Sequence, residues 1–188
     1  MMQRMQMYHV VVSAEVSMRI AGVVLAGGRS SRMGQDKAFL DFGGKPLIDH
    51  MMELLRDVGL KDVYVSGDIE GYPSIPDTQS FNGPACAIAD VMAHLSQYDG
   101  VLFVPVDMPL LSAGILKTLT QSKAGGYFEQ WPLPAFITQP CMVENAYSVQ
   151  KLLDEQEVTP LAIPEHHKAE MQNFNTPDDW QKVTQNEC

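Results

Sequence analysis

The chain has 188 residues, of which 45% are hydrophobic and 19% charged, the composition of an ordinary globular protein of one domain without low-complexity tracts. Its formal net charge of −10 excludes a general nucleic-acid or acidic-membrane surface, because phosphate backbones are gripped by dense fields of Lys and Arg. Cys86, Cys141 and Cys188 lie far apart without CxxC spacing, which suggests neither a zinc site nor a disulfide framework and suits a reducing cytoplasm.

Residues 1–19 hold one short apolar patch, Val10–Val12, too brief for a signal-peptide core. They read as an N-terminal extension upstream of a candidate start at Met18, and residues 20–188 read as a single domain. Ile20–Ala26 has the length of a fully buried strand and is far short of a membrane span. It runs into "GGRSSRMGQDK", Gly27–Lys37, a stretch of glycines and charges. Arg29, Arg32, Lys37 and Lys45 fall within positions 29–45 against only Asp36 and Asp41, a focus of positive charge on an acidic protein.

Leu47, Met51, Leu54, Leu55 and Val58 recur at helical spacing, with Pro46 suited to the first turn and Gly59 to the stop. A β-branched strand follows at Asp62–Ser66. The next unit passes from "IPD" through the turn "FNGP" into an Ala-rich helix over Pro84–Leu95 and an apolar strand over Val101–Asp107. Beyond residue 112 the spacing predicts a helix over Ser112–Ser122, a pair of strands within "GGYFEQWPLPAFI", a helix over Val143–Gln156, an extended piece at Val158–Ile163 and a last helix after Pro177.

Strands that are apolar on both faces and alternate with helices predict an α/β, Rossmann-like three-layer sandwich with a mainly parallel sheet. In such sheets ligands sit beyond the carboxyl ends of strands. Gly27–Lys37, Ser66 and Asp107 each follow an apolar strand directly and are expected to share that edge.

Gly27 and Gly28 leave room for a ligand against the main chain, and successive backbone N–H groups in such a loop form a concave nest for phosphate oxygens. Arg29, Arg32 and Lys37 can add charge to that nest. The plainer alternative is a strand-to-loop turn with solvated arginines. Neither the P-loop Gly-Lys-Ser/Thr nor GxGxxG is present, so the kinase and dehydrogenase readings lose support. The His166-His167 pair lacks a partner cluster and reads as a solvated loop rather than a metal site; His9, His50 and His94 carry no signal.

"LAGGRSSRMGQDK", Leu25–Lys37, closely resembles the signature LAGG-x-S-x-RMG-x-DK of the molybdenum cofactor guanylyltransferases, the MobA family. Further family-like pieces follow in order: "GGKPL", Pro76-Asp77, Gly83-Pro84, "VDMPLL" and "NFNTPDD", so that the resemblance spans about Ile20–Trp180. It implies transfer of GMP from GTP to molybdenum-bearing molybdopterin, with magnesium required and pyrophosphate released. Carried over by motif, Leu25, Ala26 and Gly27 line the guanosine, Gly28 and Arg32 the phosphates, and Lys37 the triphosphate. Asp107 becomes the magnesium ligand and Asp77 a nucleoside contact, while Ser66 takes a nucleotide-contact position where relatives often carry Asn.

Magnesium's preference for hard oxygen, with one or two carboxylates plus phosphates, independently suits Asp107, whose alternative role is a capping Asp before Pro109. No enzyme nucleophile is needed, so the catalytic residues Lys37, Asp107 and Arg32 act electrostatically. Trp131 stands where relatives often place His, and the stretch Leu161–Gln172 holds few basic residues; Trp131 is read either as a stacking surface for a flat ring or as a core or interface tryptophan. The expected partners are GTP, the molybdopterin-molybdenum cofactor and a cofactor-delivering protein, with no nucleic acid and no membrane, in the cytoplasm. The alternatives are a CTP-dependent relative, transfer to another phosphorylated acceptor, and a non-catalytic nucleotide- or cofactor-binding domain.

Overall fold

Residues Ala21 and Val23 of the first strand face one side of the sheet and Val24 the other, and this period-two alternation assigns the helices to two layers. The computed structural model describes residues 18–26, 37–77, 83–141, 148–176 and 179–180. In chain order its elements are β1 (Ile20–Leu25), β2 (Asp41–Phe42), β3 (Lys45–Pro46), α1 (Leu47–Val58), β4 (Val63–Ser66), β5 (Ser74–Ile75) and α2 (Pro84–His94). Then come β6 (Gly100–Pro105), α3 (Ala113–Thr120), β7 (Gly126–Phe128), β8 (Trp131–Thr138), α4 (Val149–Glu155), β9 (Thr159–Leu161) and a 3₁₀ helix, Glu165–Met171.

Seven strands form one sheet in the order β5-β4-β1-β6-β8-β7-β9. β5, β4, β1 and β6 run parallel, β8 is antiparallel to both β6 and β7, and β9 returns parallel to β7. Val24, Leu102 and Val104 pack with α1 and α3 on one face. Ala21, Val23, Val101 and Phe103 pack with α2 and α4 on the other. This is the three-layer α/β arrangement expected from the alternation of elements. Among the described residues no helix is long and apolar enough to cross a membrane.

The predicted helix starts and stops have local causes. α1 ends at Gly59, whose φ of 107° is left-handed and open to glycine at little cost. α3 starts one residue later than expected because Ser112 is extended and caps the helix, accepting from the Ile115 N–H. α4 opens at Val149, where Ser148 is extended and caps Lys151; residues 143–147 of the expected helix lie outside the described residues. Thr176 and Asp179 exchange capping bonds at the start of the last predicted helix, most of which lies outside the described residues.

Two features escaped the sequence reading. β2 and β3 form a hairpin around Gly43-Gly44, where φ values of 61° and 82° demand the primed turn that glycine pairs favour. The expected solvated loop at His166-His167 is instead part of the 3₁₀ helix, because Glu170 there engages both His167 and the start of α3.

Candidate active site

Parallel register brings three chain exits together. Leu25, the last residue of β1, pairs with Ser66 on one side and Pro105 on the other. Ala26 and Asp107 therefore leave adjacent strands at the same edge, and the Val106 N–H donates to the Leu25 carbonyl at 3.2 Å to tie the two exits. A cavity of about 460 Å³ opens there, with Leu25, Ala26, Lys37, Asp107, Trp131 and Asn173 in its lining.

Lys37 opens a 3₁₀ turn, Lys37–Phe39, ahead of the β2–β3 hairpin. Its Nζ donates to Asn175 Oδ1 at 2.7 Å and stands 3.6 Å from Asp107 Oδ2. The two side chains are 18% and 22% exposed, enclosed enough to be oriented yet open to a ligand. The loop after Asp107 is held from the α1 side, where His50 packs on Phe42 with ring centroids 4.6 Å apart and Nε2 meets the Pro109 carbonyl at 2.9 Å.

A strap made by the 3₁₀ helix and Gln172–Thr176 closes the other side. The Ser112 N–H and hydroxyl donate to Glu170 Oε2 at 3.1 and 2.6 Å, and His167 Nδ1 lies 2.7 Å from Glu170 Oε1. Burial disfavours the Glu170 carboxylate, but the Ser112 hydroxyl and His167 outweigh it and hold the carboxyl below its usual range. At the strap's far end the Phe174 N–H donates to the Asp107 carbonyl at 2.9 Å. Phe174 is buried while Asn173 and Asn175 are exposed, the alternation of an extended segment.

Among the described residues two buried polar atoms at this edge lack a hydrogen-bond partner, Ser66 Oγ and Asp77 Oδ1. Ser66 is 1% exposed at the end of β4. Asp77 lies just beyond β5, and burial, aided by the charge of Asp90, pushes its carboxyl above the ordinary range. Neither residue is in the lining of the cavity itself; they sit one and two strands away from it.

Of the residues singled out from sequence, Leu25, Ala26, Lys37 and Asp107 thus line one cavity, and Ser66 and Asp77 flank it. Gly27, Gly28, Arg29 and Arg32 lie outside the described residues. Trp131 is half-buried, lines the cavity and also packs against the core. Among the described residues no group of three or more His, Cys, Asp or Glu could hold a metal ion, and the His166 and His167 rings lie against each other with centroids 4.1 Å apart. Sequence reasoning assigned no role to Asn173 or Asn175; the signal available was the Asn-Phe-Asn alternation in "NFNTPDD".

The model of the MobA-like NTP transferase domain matches residues 22–141. A molybdenum cofactor guanylyltransferase of Xanthomonas euvesicatoria pv. vesicatoria is 38% identical over 175 residues, covering 86% of this chain and 93% of the relative. Among solved structures, molybdopterin-guanine dinucleotide biosynthesis protein A of Archaeoglobus fulgidus superposes with a TM-score of 0.69 at 19% identity, over 88% of this chain and 97% of that one. A Mycobacterium tuberculosis protein in complex with manganese gives a TM-score of 0.61 at 15% identity, over 89% and 99% of the two chains. The two structures share the layered fold just described, and the family match covers the strand-end edge from β1 to β8. The chain belongs to the MobA-like NTP transferase family and is a nucleotidyltransferase of the molybdenum cofactor guanylyltransferase type.

Proposed function

We propose that the protein transfers GMP from GTP to the terminal phosphate of molybdenum-bearing molybdopterin, forming the guanine dinucleotide and releasing pyrophosphate. The observation that carries this reading is the Lys37–Asp107 pair at the common end of β1 and β6, opening on a cavity large enough for a ligand. An acceptor phosphate oxygen forms the new bond to the α-phosphorus in line while the bond to the bridging oxygen breaks, and pyrophosphate leaves with the electron pair. The chain then has to align and stabilise rather than attack. Lys37 would meet the charge that grows on the departing phosphates, with Arg32 and the backbone of Gly28 assigned to the same triphosphate.

Asp107 fits magnesium by its chemistry. It is a hard oxygen donor, 22% exposed, and among the described residues it is not part of a three-ligand cluster of an all-protein site. That suits a cation held by one carboxylate plus substrate phosphates and water. When bound, magnesium would supply charge neutralisation across the triphosphate.

Guanine is favoured over cytosine by the polarity of the flanking atoms. Asp77, which flanks the cavity and whose enclosed Oδ1 has no donor among the described residues, is assigned to the base: guanine offers the adjacent N1–H and N2–H pair, whereas cytosine offers N4–H beside the N3 acceptor. Leu25, Ala26 and Gly27 would support the nucleoside, with Ser66 beneath Leu25's exit, and Trp131 offers a flat wall for the acceptor's ring. Incubating the protein with magnesium, the four NTPs and molybdopterin-molybdenum, then identifying the dinucleotide by mass spectrometry, tests the reading. A guanine dinucleotide is expected. A cytosine dinucleotide would move the protein to the CTP-dependent relatives, and GTP binding without product would make it a non-catalytic binder.

A further inference from the structure

Lys37 stands between two acceptors of different kind. Its ammonium makes a full hydrogen bond to the neutral amide of Asn175 at 2.7 Å, while the Asp107 carboxylate stays at 3.6 Å, within ion-pair range but beyond hydrogen-bond length. The amide must present its oxygen, since an ammonium has only donors. Coulomb attraction alone favours the opposite choice, because the energy of two unit charges deepens with every ångström of approach.

The strap explains why the neutral partner wins. The Phe174 N–H is fixed to the carbonyl of Asp107 itself, at 2.9 Å, so the next residue is held at a set distance from Asp107 whatever the side chains do. Glu170 anchors the strap again at Ser112, on the start of α3. Asn175 is thereby delivered to Lys37 across 138 residues of sequence by a segment pinned at both ends.

We propose that Asn175 is a positioning residue that holds the Lys37 ammonium off Asp107. The carboxylate then keeps an oxygen open to a divalent cation. Without the amide, Lys37 closes onto Asp107 and the two groups neutralise each other. The inference rests on the reading of Asp107 as the cation-binding carboxylate.

The test is binding without turnover: the affinity of Mn²⁺·GTP, in the absence of acceptor, measured calorimetrically for the wild type, Asn175→Ala, Lys37→Ala, the double variant and Asp107→Ala. Loss of a hydrogen bond to a charged group predicts that Asn175→Ala weakens binding by roughly tenfold. The same substitution made in the Lys37→Ala protein is expected to change little, because nothing remains to be positioned. If Asn175→Ala loosens the strap and lowers the melting temperature, Asn175→Leu, near in shape but without the acceptor, replaces it and the same result is expected. An Asn175 effect that persists in full without Lys37 overturns the proposal, as that residue then touches the ligand itself. An Asn175→Ala protein that binds like the wild type overturns it too. Unchanged Mn²⁺·GTP binding by Asp107→Ala would sink the cation-site reading instead, a result separate from either.

Discussion

The two ends of the parallel strands treat their polar groups in opposite ways. At the amino end, the Arg19 N–H donates to the Asp99 carboxylate at 2.6 Å, the Asp99 N–H donates back to the Arg19 carbonyl, and the Gln139 N–H reaches the Asp99 carbonyl. Tyr64 and Tyr98 join hydroxyls at 3.1 Å there, under the Arg19 guanidinium. At the carboxyl end, Ser66 Oγ and Asp77 Oδ1 are enclosed without partners among the described residues, and Lys37 faces Asp107 without closing on it. An unsatisfied buried polar group costs about 1–3 kcal/mol, so a fold that closes one end and leaves the other open is spending stability where a ligand can return it. The amino end should therefore answer to stability measurements alone, and the Lys37–Asp107 pair at the carboxyl end to activity.

Asp107→Ala is the strongest attempt to break that division. Removing the proposed cation ligand should lower kcat/KM by a factor on the order of 10³ or more, with the melting temperature nearly unchanged because its backbone bond to Phe174 survives. Comparable losses of activity and stability would show that Asp107 is a structural cap. Lys37→Ala should cost on the order of 10²–10³ in turnover, the loss of one preorganised stabiliser of growing charge. A variant that only melts earlier would place Lys37 on the structural side.

Much of this division was legible in the sequence, and the limits have physical causes. β1, β4 and β6 could be read because fully buried strands are short apolar runs bounded by glycine, Asp or Ser, and their carboxyl ends are expected to gather Gly27–Lys37, Ser66 and Asp107, of which Lys37, Ser66 and Asp107 lie within the described residues. The β2–β3 hairpin was not legible because two-residue strands carry no periodicity. Nor was the place of β8 between β6 and β7, since adjacency in sequence fixes a hairpin but not its other neighbour. Asn175 carries no role legible in the sequence because its partner is 138 residues away.

Asp77 sharpens the comparison through pH. Its carboxyl is raised in the fold by burial and by Asp90, so the charged form is disfavoured in the native state. The ligand-free protein therefore loses stability through Asp77 as pH rises from the ordinary carboxylate value through the folded one, and pays nothing below both. Asp77→Asn should raise the ligand-free melting temperature at pH 7 and leave it unchanged in acid. The same change should weaken GTP binding by roughly 10–100-fold, by loss of a charge-assisted hydrogen bond. Glu170 has the opposite sign: held below its usual range, it stabilises above the ordinary carboxylate pKa, and that stability is lost as pH falls through the folded value. Glu170→Gln should lower the melting temperature at pH 7, with the gap to wild type narrowing in acid.

The smallest effect belongs to the amino end. Tyr64→Phe removes one hydroxyl from a half-buried pair and leaves both rings in place, so the expected loss is about 1 kcal/mol, the net contribution of a typical hydrogen bond. The Tyr98 hydroxyl is pushed up first by that bond, then by burial and by Asp62, so its titration should move back toward the ordinary tyrosine range in the variant. Denaturant melts would read the stability and ultraviolet titration the phenol, while kcat/KM should stay at the wild-type value. The contacts of Tyr64 and Tyr98 run to β4, Arg19 and Asp62, all remote along the strands from Lys37 and Asp107, and no described bond of either hydroxyl reaches the cavity. A fall in kcat/KM alongside the lost stability would mean that the sheet transmits strain from one end to the other, and the division between the closed and the open edge would have to be given up.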